Sequence, residues 1–271
     1  MTEEIKRTTE SGKFKGPIPL LPAGKDYLWG GRRLRDDFSK DIPLTPLAET
    51  WECSTHPDGL SLLAEDPDKT LHELLQENPW MFGTHPAKSM PEAVEKGELP
   101  VLIKFIDAAS DLSVQVHPDD AYAKEHENGQ LGKSEMWYVV DAAPGANLVY
   151  GFSHDMDRDR VREAAQNGTL EKHLQRVPIR KDDVFFIPAG TVHAIGGGSL
   201  IAEVQESSNL TYRLYDYHRI GKDGKERPLH LEKALQVAKL SAADEPRQPM
   251  RVLNYRPGFA SEFLCRCRYF E

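Results

Sequence analysis

The chain has 271 residues, 39% of them hydrophobic and 28% charged, with 43 acidic against 34 basic side chains and a formal net charge of −9. That length supports a sizeable core in one large or two modest domains and excludes a mini-protein held only by staples. The acidic excess, with no long lysine/arginine run, excludes nonspecific nucleic-acid binding, because a phosphate backbone would be repelled.

The first residues, MTEEIKRTTESGKFKG, are polar and of mixed charge, without the apolar centre of a signal peptide. No apolar stretch approaches the roughly 18 to 20 residues needed to span a bilayer. A cytoplasmic protein without membrane contact is expected. The three cysteines, Cys53 alone and Cys265 and Cys267 two apart, are an odd count and predict reduced thiols.

Up to about residue 50, proline, glycine and charge around Trp29-Gly30-Gly31 predict loops with short strands. TWECSTHPDGLS (50–61) reads as a strand running into a turn at His56-Pro57-Asp58-Gly59, where proline second and glycine fourth suit type I geometry. Between residues 70 and 97 the pattern is helical: Leu71, Leu74 and Leu75 share a face, Pro79 interrupts, and PEAVEKGE forms another short helix. His56 and His85, each before a proline, are placed in loops. After Pro100 come the strands VLIKFIDA, LSVQVHPDD, SEMWYVVDA and ANLVYGF, with a turn at Ala143-Pro144-Gly145.

DRDRVREAAQNGTLEKHLQRV (157–177) reads as two helical pieces divided at Asn167-Gly168. Strand pattern returns in DDVFFIPAGTVHAI, SLIAEVQE and LTYRLYDY, and HLEKALQVAKL is a helix with Leu231, Leu235, Val237 and Leu240 on a broad apolar side. A linker, SAADEPRQP, leads to a strand-like end, EFLCRCRYFE, which alone would need partners. Short strands at regular spacing predict a mainly β sandwich or barrel with helical insertions over residues 1–240. Residues 241–271 are expected to be a linker and a partial C-terminal β domain.

The strongest local signal is Gln115-Val116-His117. On a strand, residues 115 and 117 share one face, so an amide and an imidazole converge there, as ligands or as a polar face before a turn. Glu135 opens the next strand, as a third donor or a solvated charge. His193 follows a tight turn shaped by Pro188 and Gly190, and alone would more often be a structural histidine. Taken together, two imidazoles, a carboxylate and an amide suit a divalent first-row ion: zinc first, with manganese, iron or cobalt as alternatives. The C-x-C pair at the end, with no second pair, is a weak metal motif.

Pro188-Ala189-Gly190-Thr191-Val192-His193 resembles the second metal motif of the cupin superfamily, with Asp182 where a glycine is usual. Together with AETWE (48–52), IKFIDA (103–108), QVHPDD (115–120), GKSEMWYV (132–139) and TYRLYDY (211–217), the chain resembles the short bacterial form of type I phosphomannose isomerases from about Leu28 to Tyr217. The resemblance implies a cupin jelly-roll barrel, and a second, C-terminal cupin-like domain begun but incomplete at residue 271. It also implies a zinc-dependent isomerase of mannose 6-phosphate and fructose 6-phosphate with one ion on Gln115, His117, Glu135 and His193.

Moving a carbonyl between C1 and C2 requires ring opening, removal of the proton alpha to the carbonyl, and stabilisation of the enediol. A cation near O1 and O2 lowers the cost of the developing negative charge, and a base carries the proton. Glu203 lies ten residues before Arg213 on successive strands, at positions similar to those lining the family's pocket; the other reading is a charge facing water. Arg213 would neutralise the enediolate or grip the phosphate through its planar fork, or simply face outward. Lys133 offers proton transfer or anion binding, or is a loop lysine. The family commonly carries aspartate at the position of Asn209. An amide is no base near neutral pH, which leaves Glu203 or Lys133 as the proton carrier and Asn209 as a substrate contact. No glycine-rich phosphate loop is present, so a sugar phosphate would be bound by local cations. The expected partner is a small sugar phosphate, and the expected assembly a monomer or small homo-oligomer. The competing function is a cupin that binds or senses a sugar phosphate without turnover.

Overall fold

The computed structural model describes residues 16–221, 223–249 and 251–270. Eleven strands build two facing antiparallel sheets: β1 (Ala23–Lys25), β2 (Glu49–Cys53), β3 (Val101–Ala108), β4 (Val114–Val116), β5 (Glu135–Ala142), β6 (Asn147–Phe152), β7 (Leu174–Pro178), β8 (Val184–Ile187), β9 (His193–Ile195), β10 (Ser199–Glu206) and β11 (Tyr212–Tyr215). One sheet has the order β8-β5-β10-β3-β2-β1 and the other β7-β6-β9-β4-β11. Sequence neighbours repeatedly fall in opposite sheets, as the predicted jelly roll requires.

Period-2 alternation decides what lies between the sheets. Glu135, Trp137 and Val139 of β5 point inward, as do Ile201 and Glu203 of β10 and Lys104 and Ile106 of β3. The apolar members of these rows meet Leu148, Val177 and Ile195 of the facing sheet in one core, with Phe185 and Ile187 from β8. Burying each of the large side chains stabilises by roughly 1.5–3 kcal/mol. The polar members of the same rows gather elsewhere on the inner face, and that uneven distribution positions the site. The outer face of the five-stranded sheet is covered by the helices Arg158–Gln166 and Leu231–Val237, whose Val161, Ala164, Ala234 and Leu235 pack on Val149 and Leu214.

A side layer carries the helical insertion. Helix Leu71–Glu77 starts with a capping box, Thr70 accepting from Glu73 N while the Glu73 carboxylate accepts from Thr70 N, and it buries Leu71, Leu74 and Leu75. His85 was expected in a loop but lies in helix Thr84–Ser89, because Pro86 falls in the first turn, where no N–H is needed. The second helical piece expected before residue 177 is a single 3-10 turn, Leu170–His173, followed by β7. Pairing with β6 overrides local propensity there. Asp182 adopts φ +72°, a left-handed backbone that explains why glycine is usual at this motif position.

Of the terminal piece expected as a strand, EFLCRCRYFE, only Glu262 and Phe263 lie in one: Phe259–Phe263 pairs with Arg251–Arg256 in a hairpin, and 264–270 are irregular. Residues 241–249, read as a linker, run along the sandwich. Ala243 N donates to Phe152 O (2.9 Å) and Gln248 N to Val184 O (2.8 Å), while the Arg247 guanidinium lies 3.1 Å from Asp183 and over the Phe185 ring. The three cysteines are free thiols. Among the described residues no helix is long and apolar enough to cross a membrane.

Candidate metal centre

β4 stops at Val116, and His117 follows it into the turn at Pro118 with its side chain buried. Its Nδ1 lies 2.7 Å from Leu210 O. A carbonyl only accepts, so Nδ1 carries the proton and Nε2 presents a lone pair. His193, the first residue of β9, repeats the arrangement with Nδ1 2.8 Å from Thr191 O. A carbonyl behind each imidazole is the support that metal-binding histidines need.

Glu135, the first residue of β5, completes the group. Its Oε1 is 2.8 Å from His117 Nε2 and its Oε2 4.0 Å from His193 Nε2. The donor atoms of His117, Glu135 and His193 all lie within 4.8 Å of one another, and all three residues are buried. Trp137 Nε1 donates to Glu135 Oε2 at 2.8 Å, whereas Oε1 is buried without a well-formed hydrogen bond, its counter-charge being the Lys133 ammonium at 2.7 Å. A carboxylate oxygen facing an imidazole lone pair at such range repels it unless a cation lies close. These donors fit a divalent first-row ion. Gln115 pairs in register with His193 on one side and Arg213 on the other. Its amide nitrogen is 3.4 Å from His193 Nε2, and a half-turn of the amide would offer its oxygen instead.

Electrostatics follow from burial and neighbours. Burial, then the Lys133 charge, lowers His117 to about 3, and burial lowers His193 as well, so both imidazoles are neutral near pH 7. Burial opposes the charge of Glu135, yet the Lys133 ammonium beside it outweighs that and holds the carboxyl well below its ordinary value. Glu203 goes the other way: burial and then the Glu135 charge push it up to about 7, against the pull of Lys104 and Lys133.

Sequence reasoning missed Lys104 and Glu49. Lys104 Nζ lies 3.2 Å from Glu203 Oε1 and 3.7 Å from Glu49 Oε2, and Lys133 Nζ is 4.0 Å from the same Glu203 oxygen. Trp137 Nε1 also donates to Glu203 Oε2 (3.0 Å), and Trp51 Nε1 to Glu49 Oε2 (2.7 Å). The two tryptophans thus bury area and fix carboxylates too. The available signal was alternation: Lys104 occupies the same strand face as Leu102 and Ile106. Burial resists the ammonium, but Glu203, Glu49 and Glu135 outweigh that and hold it above its ordinary value.

Replacing Lys104 with methionine strands these acids. Stability measured by denaturant unfolding at pH 8 is expected to fall by about 3–5 kcal/mol. Glu203, already raised, would rise further; a raised carboxyl loses stability as pH climbs above its unfolded value, so the deficit should shrink in acid. An equal deficit at pH 5 and pH 8 would contradict this account.

Lys104, Lys133 and Glu203 line one side of a cavity of about 260 Å³, and Ser113, Gln115 and Arg213 the other. Glu203 and Arg213 do sit on successive strands, but those strands belong to opposite sheets, so the two residues line the cavity from facing sheets. Arg213 Nη1 donates to Pro228 O (2.9 Å) and Nε to Ser113 Oγ (3.3 Å). Burial, then the neighbouring Arg227 charge, lowers its pKa. Arg227, unnoticed in the sequence, lines the same cavity and grips Asp216 through Nε (2.7 Å) and Nη2 (2.6 Å), while Arg219 binds the same carboxylate. Arg213 and Arg227 thus bring two guanidiniums to the cavity lining. Asn209 lines the cavity as well and is exposed, its Nδ2 donating to Asp58 Oδ2 at 2.8 Å.

Comparison with known proteins gives a consistent picture. A family model for the type I phosphomannose isomerase catalytic domain matches residues 18–142. The chain is 40% identical over 235 residues to the probable mannose-6-phosphate isomerase GmuF of Bacillus subtilis (strain 168), covering 86% of this chain and 71% of that one. It is 41% identical over 223 residues to the mannose-6-phosphate isomerase of Streptococcus mutans, covering 82% and 67%. Among solved structures, the mannose 6-phosphate isomerase from Bacillus subtilis superposes with a TM-score of 0.84 at 36% identity, over 94% of this chain and 78% of that one. A mannose 6-phosphate isomerase bound with zinc and yttrium, at 17% identity and a TM-score of 0.61 over 86% and 77%, shares the fold.

Proposed function

Since the chain belongs to the type I phosphomannose isomerases, we infer that it is a metal-dependent aldose–ketose isomerase interconverting mannose 6-phosphate and fructose 6-phosphate in the cavity between its sheets. The observation that carries this reading is the convergence of His117, Glu135 and His193 beside a buried acid-base network.

In this reading Gln115, His117, Glu135 and His193 hold zinc, one of the two ions named for one solved relative. When bound, the ion supplies Lewis-acid stabilisation of negative charge on the sugar's O1 and O2. The protein's own groups do the rest. Glu203, poised near neutrality, takes the proton from one carbon and returns it to its neighbour, and Lys133 is the second candidate for that role. Lys104 holds Glu203 in place and balances its charge. Arg213 and Arg227 meet the phosphate with planar donors. Asn209, an amide already bonded to Asp58, serves as a substrate contact and not as the base.

The same reading assigns catalysis to residues 1–240, treats 241–271 as a linker and a C-terminal β piece, and has the protein act in the cytoplasm as a monomer or small homo-oligomer. A cupin that only senses sugar phosphate is not favoured, because the acid-base set beside the donor cluster has no role in mere binding. A coupled assay with mannose 6-phosphate tests the proposal. Turnover should disappear on chelation and return with added zinc; saturable binding without turnover in metal-replete protein would overturn it.

A further inference from the structure

The segment entering β5 is held from behind the cavity. Gly132 N donates to Asp120 Oδ1 (2.9 Å), Lys133 N to Pro118 O (3.0 Å) and Ser134 N to Glu206 Oε2 (2.7 Å). Gly132 is packed so tightly that a β-carbon would collide with the backbone of Asp119 and Asp120. Consecutive amides are therefore fixed, and the middle one belongs to Lys133, whose ammonium reaches Glu135 and the neighbourhood of Glu203.

Glu206 ends β10 with only 2% of its surface exposed, and its own N–H returns to Ser134 O at 3.1 Å. Its carboxyl lies within reach of the Asp120 carboxyl, since Asp120 Oδ1 and Glu206 Oε2 accept from amides only two residues apart. Two ionised carboxylates would repel there, whereas one proton between them makes a hydrogen bond. Burial, then the Asp120 charge, pushes Glu206 up to about 8, which keeps that proton at neutral pH. Besides Asp120, on helix Asp120–His126, and the uncharged Ser134, Glu206 interacts electrostatically with the Tyr269 phenol, which also feels Asp120, Arg268 and Asp119.

We propose that Glu206 and Asp120 form a proton-sharing carboxyl pair that clamps the Gly132–Ser134 backbone and thereby positions Lys133 in the active site. The inference rests on the reading of Lys133 as part of an isomerase site. Glu206 touches no substrate atom and is a positioning residue, so its loss should act on kcat more than on KM.

Two variants test the clamp. Glu206→Ala removes it, and kcat should fall about 10- to 100-fold, the cost of a misplaced group, with bound metal unchanged by elemental analysis. In Glu206→Gln the amide oxygen still accepts from Ser134 and the NH2 donates to Asp120, so kcat at pH 7 should be that of the parent. The parent should lose turnover as pH rises through 8 and the shared proton leaves, while the glutamine variant should not. Full kcat in the alanine variant, or the same alkaline loss in the glutamine variant, would overturn the proposal; if the alanine variant does not fold, the glutamine profile decides alone. Should the parent lack isomerase turnover, the functional reading fails separately. The pair is then judged by infrared spectroscopy: a protonated-carboxyl band present in the parent and missing from Glu206→Gln supports it, and no such band in the parent refutes it.

Discussion

Replacing His117 with alanine is expected to remove bound metal and turnover together, lowering kcat/KM by about 10³-fold or more. The imidazole is one of three buried donors that converge, and its orientation is fixed by the bond from Nδ1 to Leu210 O. Without it the ion would keep one imidazole, His193, with Glu135 and the weakly donating amide of Gln115, a poor set for a tightly held divalent cation. The several kcal/mol of charge stabilisation that an ion gives an enediolate would go with it. Stranding Leu210 O costs only about 1–3 kcal/mol, so the variant should fold, as circular dichroism can verify. Elemental analysis alongside the coupled assay makes the measurement. Parent-like metal content in the variant would take His117 out of the ligand set.

Glu203→Gln should cost about 10²- to 10⁴-fold in kcat while leaving bound metal in place. The carboxyl is pushed up to about 7, and it must be unprotonated to accept the sugar's proton. Activity of the parent should accordingly drop as pH falls through 7, and that acid limb should be missing from the residual activity of the variant. The stability effect has its own sign. A carboxyl raised from its ordinary value costs folding energy progressively as pH climbs toward 7, so the glutamine variant should gain stability over the parent across that interval. An acid limb that survives in the variant would transfer the proton-carrying role to Lys133.

How much of this was legible in the sequence depends on how local each cause is. The spacing of Gln115 and His117 is a two-residue fact, and the turn before His193 is written in Pro188 and Gly190. Gln115 and His117 both reach the site although the strand ends at Val116, one residue short of His117. Lys104, Glu49 and Arg227 were invisible because their cause is not local. A lysine on an otherwise apolar strand face becomes meaningful only when Glu203 arrives beside it from a strand nearly a hundred residues away, in register across β3 and β10. The same holds for β7, whose local sequence suits a helix until β6 supplies a partner, and for Glu203 and Arg213, which chain order makes neighbours and sheet assignment places opposite each other.

The stretch from 241 to 249 also bears on how the molecule behaves in a concentrated solution. Strand β8 borders its sheet, with β5 on one flank and, on the other, the bond from Gln248 to Val184 and the bridge between Arg247 and Phe185. A bare border would offer amides and carbonyls as a template for recruiting foreign strands. Here that invitation is already taken up by the chain's own later residues, with a guanidinium anchored at the rim as a further deterrent to self-association.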